Sequence, residues 1–226
     1  MERIKKKLSE NRGIWVIVIY AAFYLPWFIW LEKRTLTQYI VIHMAVDDII
    51  PFCEYFIVFY YIWFLYMIAS IAYCVFTDHE TFYRSFFFIA TGMTLFLLIS
   101  TIFPNGHHLR PSGFARDNIF TMLTAFIYRS DTPTNIFPSI HVYNAIGAHL
   151  AIVFNKKLKN NRAVKAISLF TCIGIILSTV FLKQHSMYDV LGAIVLAVGM
   201  YPVCFRSEYM DRLIAKSEHK EAERLV

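Results

Sequence analysis

Residues 52–76 read FCEYFIVFYYIWFLYMIASIAYCVF, an unbroken run in which Glu54 is the one charged side chain. A bilayer core takes about 20 apolar residues of helix per crossing, so this stretch is long enough to span. Its aromatic residues, among them Tyr55, Phe59, Tyr60, Trp63 and Phe64, suit packing and anchoring at a membrane interface. Further apolar stretches run from Ile14 to Leu31, Phe86 to Phe103, Ile140 to Phe154, Ala166 to Leu182 and Val190 to Phe205. Together they predict an all-α integral membrane protein, a bundle of six transmembrane helices. The fourth stretch is the shortest and carries Asn144 and His149, so it is predicted to turn a polar side into the bundle, where hydrogen bonds between helices account for both residues. Pro26 and Pro202 lie within spans and predict kinks.

Composition agrees. Of 226 residues 58% are hydrophobic and 17% charged, and the mean hydropathy is +0.50; soluble domains run nearer 45–50% apolar and about 25% charged. The four cysteines sit inside apolar runs with no metal-ligand spacing, and read as small buried hydrophobes. No repeat or linker divides the chain, which predicts one membrane-embedded domain over 1–226 and no metal or other cofactor.

The net charge of +6 follows topology and argues against a nucleic-acid partner. Sixteen Lys and Arg fall in the N-terminal tail, at Arg84, in the Asn155–Lys165 connection and in the C-terminal tail; six fall in the remaining loops. Positive charge marks the cytoplasmic side, so both termini are predicted cytoplasmic. The first span follows the basic run Arg3 to Lys7 but has too long an apolar core for a cleaved signal. Ile119 to Tyr128 is apolar yet too short to cross, and is predicted to be an interfacial helix within the outer loop between spans three and four.

Polar residues with chemical potential gather in two loops on that outer side. The loop 104–139 carries His107, His108, Arg110, Arg116 and Asp131, and leads into Pro138-Ser139-Ile140-His141. The loop 183–189 carries Lys183, His185 and Asp189. Four residues apart on a helix, His185 and Asp189 would share a face, with the carboxylate fixing one imidazole nitrogen and leaving the other free to attack. Pro138 presets the first turn of the following helix, so Ser139 and the first free amides form an anion site. Arg110, held before Pro111, suits bidentate contact with phosphate. Each feature alone has an ordinary account: a solvated pair, an N-cap, an arginine on a lipid headgroup.

In combination, Arg110-Pro111, Pro138-Ser139-Ile140-His141 and Ser178 followed by His185-Ser186-Met187-Tyr188-Asp189 resemble the three motifs KxxxxxxRP, PSGH and SRxxxxxHxxxD of the type 2 phosphatidic acid phosphatase family, the membrane lipid phosphate phosphatases. The resemblance implies a metal-independent hydrolase acting on a lipid phosphate monoester or diphosphate through a phosphohistidine. It implies that His185 is the nucleophile, Asp189 its orienting partner and His141 the general acid, with Arg110, Ser139 and the amide of Ile140 holding phosphate. The family's lysine and arginine fall at Phe103 and Thr179, so Lys183, His107 or His108 is expected to supply the missing charge. Loss of these cations also resembles relatives that transfer a phospho-headgroup between lipids, such as the sphingomyelin and inositol phosphorylceramide synthases. A lipid phosphotransferase is therefore the alternative, and a catalytically silent lipid-binding relative the third reading. Asp47 and Asp48 could contact a headgroup or pair with Arg110 or Arg116, but read first as a helix cap meeting water. Small size and the absence of retention signals point to a bacterial plasma membrane.

Overall fold

The computed structural model describes residues 12–222. Of the basic residues counted for orientation, Arg3, Lys5, Lys6, Lys7 and Arg224 lie outside the described residues. In chain order the elements are α1 (Arg12–Lys33), β1 (Ile40–Val41), α2 (Ala45–Ile49), a 3-10 turn Glu54–Phe56, α3 (Ile57–Thr77), α4 (His79–Ile102), β2 (Asn105–Gly106), α5 (Ile119–Ser130), α6 (Ile140–Phe154), a 3-10 turn Lys156–Leu158, α7 (Arg162–Phe181), α8 (Met187–Phe205) and α9 (Glu208–Ala222). The fold is all-helical, with one two-residue parallel pairing of β1 and β2. Among the described residues five helices are long and apolar enough to cross a membrane: α1, α3 with its 3-10 lead-in, α4, α7 and α8. α6 is a shorter apolar helix.

α6 is the axis of the bundle, packed by α3, α4, α7 and α8. Its small residues Ala145, Ala148 and Ala151 are fully buried, which lets neighbouring backbones approach. Across from it, Gly92 of α4 leaves room for the Tyr143 ring: a Cβ there would lie 2.0 Å from that ring. Tyr143 stacks on Phe88 and donates its hydroxyl to the Phe88 carbonyl at 3.0 Å. α1 stands at the periphery on α4, with Tyr24 and Leu31 packed on Phe96 and Leu97. Ile19, Leu65, Phe170 and Val195 are exposed on the outer faces, an inverted surface suited to lipid.

The two ends of the bundle differ. At one, Asp78 caps α4, accepts the backbone N–H of Lys156 and the Thr81 hydroxyl, and sits beside the turn after α6. Arg84 pairs there with Glu80 and Asp211, and Lys156 with Glu80. This end joins the chain segments rich in lysine and arginine. At the other, loops 34–54, 103–139 and 182–186 meet: Ile42 N–H donates to the Gly106 carbonyl, Asn105 Oδ1 accepts from Ile136 and Phe137, and Ser139 N–H donates to the Asp189 carbonyl. Gly192 opens the space for this last approach, since a Cβ there would lie 2.5 Å from the Phe137 ring.

Two helix boundaries differ from expectation in ways that matter. The third apolar stretch starts as a helix at His79, not Phe86, because Asp78 supplies an N-cap and the polar residues Glu80 and Arg84 find partners across the bundle end. α8 starts at Met187 rather than Val190, because Ser186 and Asp189 form a capping box.

Candidate active site

His185 lies in the turn before α8, not on the helix, yet it meets Asp189 as expected. Asp189 is the third residue of α8, and its Oδ2 accepts the Ser186 backbone N–H at 2.8 Å and faces His185 Nδ1 at 3.3 Å. The capping box and the imidazole contact therefore share one oxygen. With Nδ1–H directed at the carboxylate, His185 Nε2 keeps its lone pair. That nitrogen stands 3.1 Å from Nδ1 of His141. The rings of Tyr60 and Trp63 lie 4.7 and 4.4 Å from that of His141. His141, 44 residues away in sequence, thus joins the neighbouring His185 and Asp189 in one line, Asp189, His185, His141.

The line opens into a cavity of about 920 Å³ bounded by α1, α3, α4 and α6. Most of its wall is apolar, with Tyr24, Phe28, Phe64, Ile89 and Met93 among the lining residues. Its polar end holds Glu32, Asp131, Asn135, His141, Gln184 and His185. Tyr60 donates its hydroxyl to Asp131 at 3.1 Å, and burial holds the Asp131 carboxyl above the usual carboxylate range, with the Tyr60 bond and the Arg110 charge opposing. An apolar chamber ending in two imidazoles is shaped for an amphiphile with its reactive group at one end.

Arg110 is clamped rather than free. It donates to the carbonyls of Tyr128 (3.1 Å) and Asp131 (2.8 Å) and to Gln184 Oε1 (2.5 Å), and stacks over the Tyr128 ring. Its Nε is buried with no partner among the described residues. Ser139 is fully buried as the N-cap of α6, its oxygen accepting from Val142. Ile140 lines the cavity. Lys183 Nζ is held by the carbonyls of Asp47 and Ile50. At the positions where the family's lysine and arginine fall, Phe103 is exposed and Thr179 is buried with its hydroxyl on the Ile176 carbonyl.

Of the expected substitute cations, His107 is excluded by its surroundings. It is buried, its Nδ1 accepts from Leu109 N–H and its Nε2 donates to the Gln184 carbonyl at 2.9 Å. Burial pushes its pKa down to about 4 against the partial support of that hydrogen bond, so it is neutral at pH 7. Its work is to hold the backbone next to His185. Between the unfolded value of 6.5 and about 4 the unfolded chain binds a proton that the folded chain does not, so stability falls as pH drops through that window, by about 2 kcal/mol at pH 5. His107→Gln retains the donor without the titration. Its unfolding temperature in detergent should fall less than the wild type's between pH 7 and pH 5; equal sensitivity would overturn this assignment.

One residue escaped the sequence reading and a second does more than it foresaw. Gln184 lines the cavity beside His185 and couples to Arg110, and its Nε2 is buried without a partner among the described residues; a lone glutamine carries no sequence signal. Asp47 caps α2 as expected, accepting from Met44 N–H, but it is buried rather than in water and also braces the start of α8, accepting from Met187 N–H at 2.8 Å and from the Ser186 hydroxyl. Asp48 instead pairs with His43 in solvent. His149 bonds Ser168 between helices, as expected; the side-chain Nδ2 and Oδ1 of Asn144 have no partner among the described residues.

Residues 116–212 match the family model described as PAP2 superfamily, a segment that holds His141, His185 and Asp189 and leaves Arg110 outside. The match agrees with the resemblance carried by the three motifs and supports a phosphoesterase-like enzyme, a phosphatase or related phosphotransferase, on lipid-like substrates. No curated protein and no solved structure matches the chain.

Proposed function

We propose, from the PAP2 superfamily match of residues 116–212, that the chain is a single membrane-embedded domain over 1–226, a lipid phosphatase that works through a phosphohistidine at His185. The observation that carries the reading is the line Asp189–His185–His141 at the polar end of an apolar cavity. Substrate phosphate displaces the contact between the imidazoles. The His185 Nε2 lone pair then forms the bond to phosphorus as the bond to the lipid oxygen breaks, and His141 Nδ1–H gives its proton to the departing alkoxide. In the second displacement His141 takes a proton from water, the water oxygen bonds phosphorus, and the N–P bond breaks to release phosphate. The Asp189 carboxylate offsets the positive charge that forms on His185, whose Nδ1–H it accepts. Gln184 Nε2, positioned by the Arg110 bond to its Oε1, donates to the equatorial oxygens in place of the family's missing cations.

In the same reading α6 is a sixth, short span, α5 lies at the interface with Ile119, Met122 and Phe126 turned outward, and the lysine-rich end is cytoplasmic, so that the imidazoles open on the outer face of a bacterial plasma membrane. The chemistry assigned to these residues requires no metal. A second reading, transfer of the phospho-group to an alcohol, is favoured by one observation: Glu32 and Asp131 line the polar end, and no lysine or arginine does among the described residues. Carboxylates there disfavour a dianionic monoester more than a monoanionic diester.

Inorganic phosphate release from a panel of lipid phosphates in EDTA tests both. Release that is undiminished by EDTA supports the phosphatase. Headgroup exchange that appears only with added alcohol supports transfer, and strong EDTA inhibition overturns the metal-free mechanism.

A further inference from the structure

Asn144 lies on α6 three residues beyond His141, about 4.5 Å deeper along the helix axis. It is fully buried and lines the cavity, and neither its Nδ2 nor its Oδ1 has a partner among the described residues. The indole Nε1 of Trp63, whose ring lies against His141, is also buried in the cavity wall without a partner among the described residues. A buried amide is ordinarily hydrogen-bonded, and inside a bilayer the cost of leaving one bare is met with a function. Two donors and one acceptor thus stand in a mostly apolar wall next to His141, the Asn144 amide about one helical turn below it and the Trp63 ring beside it.

We infer that Asn144 and Trp63 form a subsite that reads the lipid backbone next to the phosphoester, and that the substrate offers both a hydrogen-bond acceptor and a donor there. An N-acyl amide, or a free hydroxyl beside an acyl carbonyl, meets this description. Diacyl esters supply acceptors alone, and a prenyl chain supplies neither. The depth fits, because such groups lie on the order of 5 Å from phosphorus, about one helical turn. The inference rests on the reading of His185 as the place where phosphorus reacts.

The test uses the full chain in detergent with three probes of equal charge type: ceramide 1-phosphate, dioleoyl phosphatidic acid and farnesyl phosphate. Turnover and the ligand-induced rise in unfolding temperature are read for each. The wild type should favour the first over farnesyl phosphate by at least about tenfold in kcat/KM, with the diester-linked lipid between. Asn144→Leu should erase most of that ratio while raising or preserving unfolding temperature, since it removes a bare polar group. Trp63→Phe, which keeps a ring beside His141, should reduce the ratio by a smaller factor. If no probe is turned over but the order of thermal shifts is present in the wild type and collapses in Asn144→Leu, the phosphatase reading falls and the subsite stands. Turnover with the same ratio in wild type and Asn144→Leu, or no thermal shift from any probe, overturns the subsite.

Discussion

His185→Gln should lose at least about a thousandfold in turnover while keeping the wild-type fold, because in the proposed mechanism it removes the nitrogen that bonds phosphorus and leaves an amide of similar reach in its place. Glutamine has no lone pair of comparable nucleophilicity, and the surrounding cavity can hold it. His141→Gln should lose about a hundred- to ten-thousandfold, the range ascribed to a positioned general acid. The two losses should not add, since both residues act on the same bond: a double variant close to His185→Gln alone would support a common step. Lipids whose leaving group is already acidic should lose less from His141→Gln, because an alkoxide that needs no proton gains little from a donor. The decisive measurement is phosphate release by each variant beside its unfolding temperature. Rates like the wild type's in a folded His185→Gln would remove the nucleophile assignment.

Asp47→Ala is expected to be the most damaging change outside the imidazole pair. The carboxylate is buried and receives the Ser186 hydroxyl and the N–H groups of Met187 and Met44. Each donor stranded without an acceptor costs about 1–3 kcal/mol, so the total is several kcal/mol and comparable to the margin of many folded domains. The damage should be directional. Ser186 is the N-cap of α8, and its backbone N–H also bonds Asp189, so loosening it disorders the oxygen that orients His185. Asp47→Asn retains one acceptor and should fall between. The check is unfolding temperature with turnover measured well below it: a variant that is destabilised yet fully active at low temperature would show that Asp47 holds the fold without ordering the imidazole.

Much of this was legible in the chain itself. Spans such as 52–76 are contiguous, and hydropathy is a property of neighbours in sequence, so the apolar helices could be read with only their ends misplaced. The ends moved where polar residues found partners far away, as Arg84 did with Asp211 and Glu80 with Lys156. His185 and Asp189 could be paired from their spacing, although a capping box and not a shared helical face brings them together. His141 could be placed at the mouth of a helix, but its 3.1 Å approach to His185 depends on α6 threading the centre of the bundle. The expected charge from His107 failed because burial, invisible in sequence, keeps that ring neutral.

By itself the sequence determined an apolar helical protein with a phosphoester motif set at one end, because both signals lie in short contiguous stretches. The tertiary structure alone decided which polar groups are spent and which are left over. Asp47 was consumed bracing α8 and Lys183 by two carbonyls, while Asn144, Gln184 and Trp63 kept bare polar atoms at the cavity. Hydrogen-bond partnership between helices is set by their packing in three dimensions, and no local pattern encodes it.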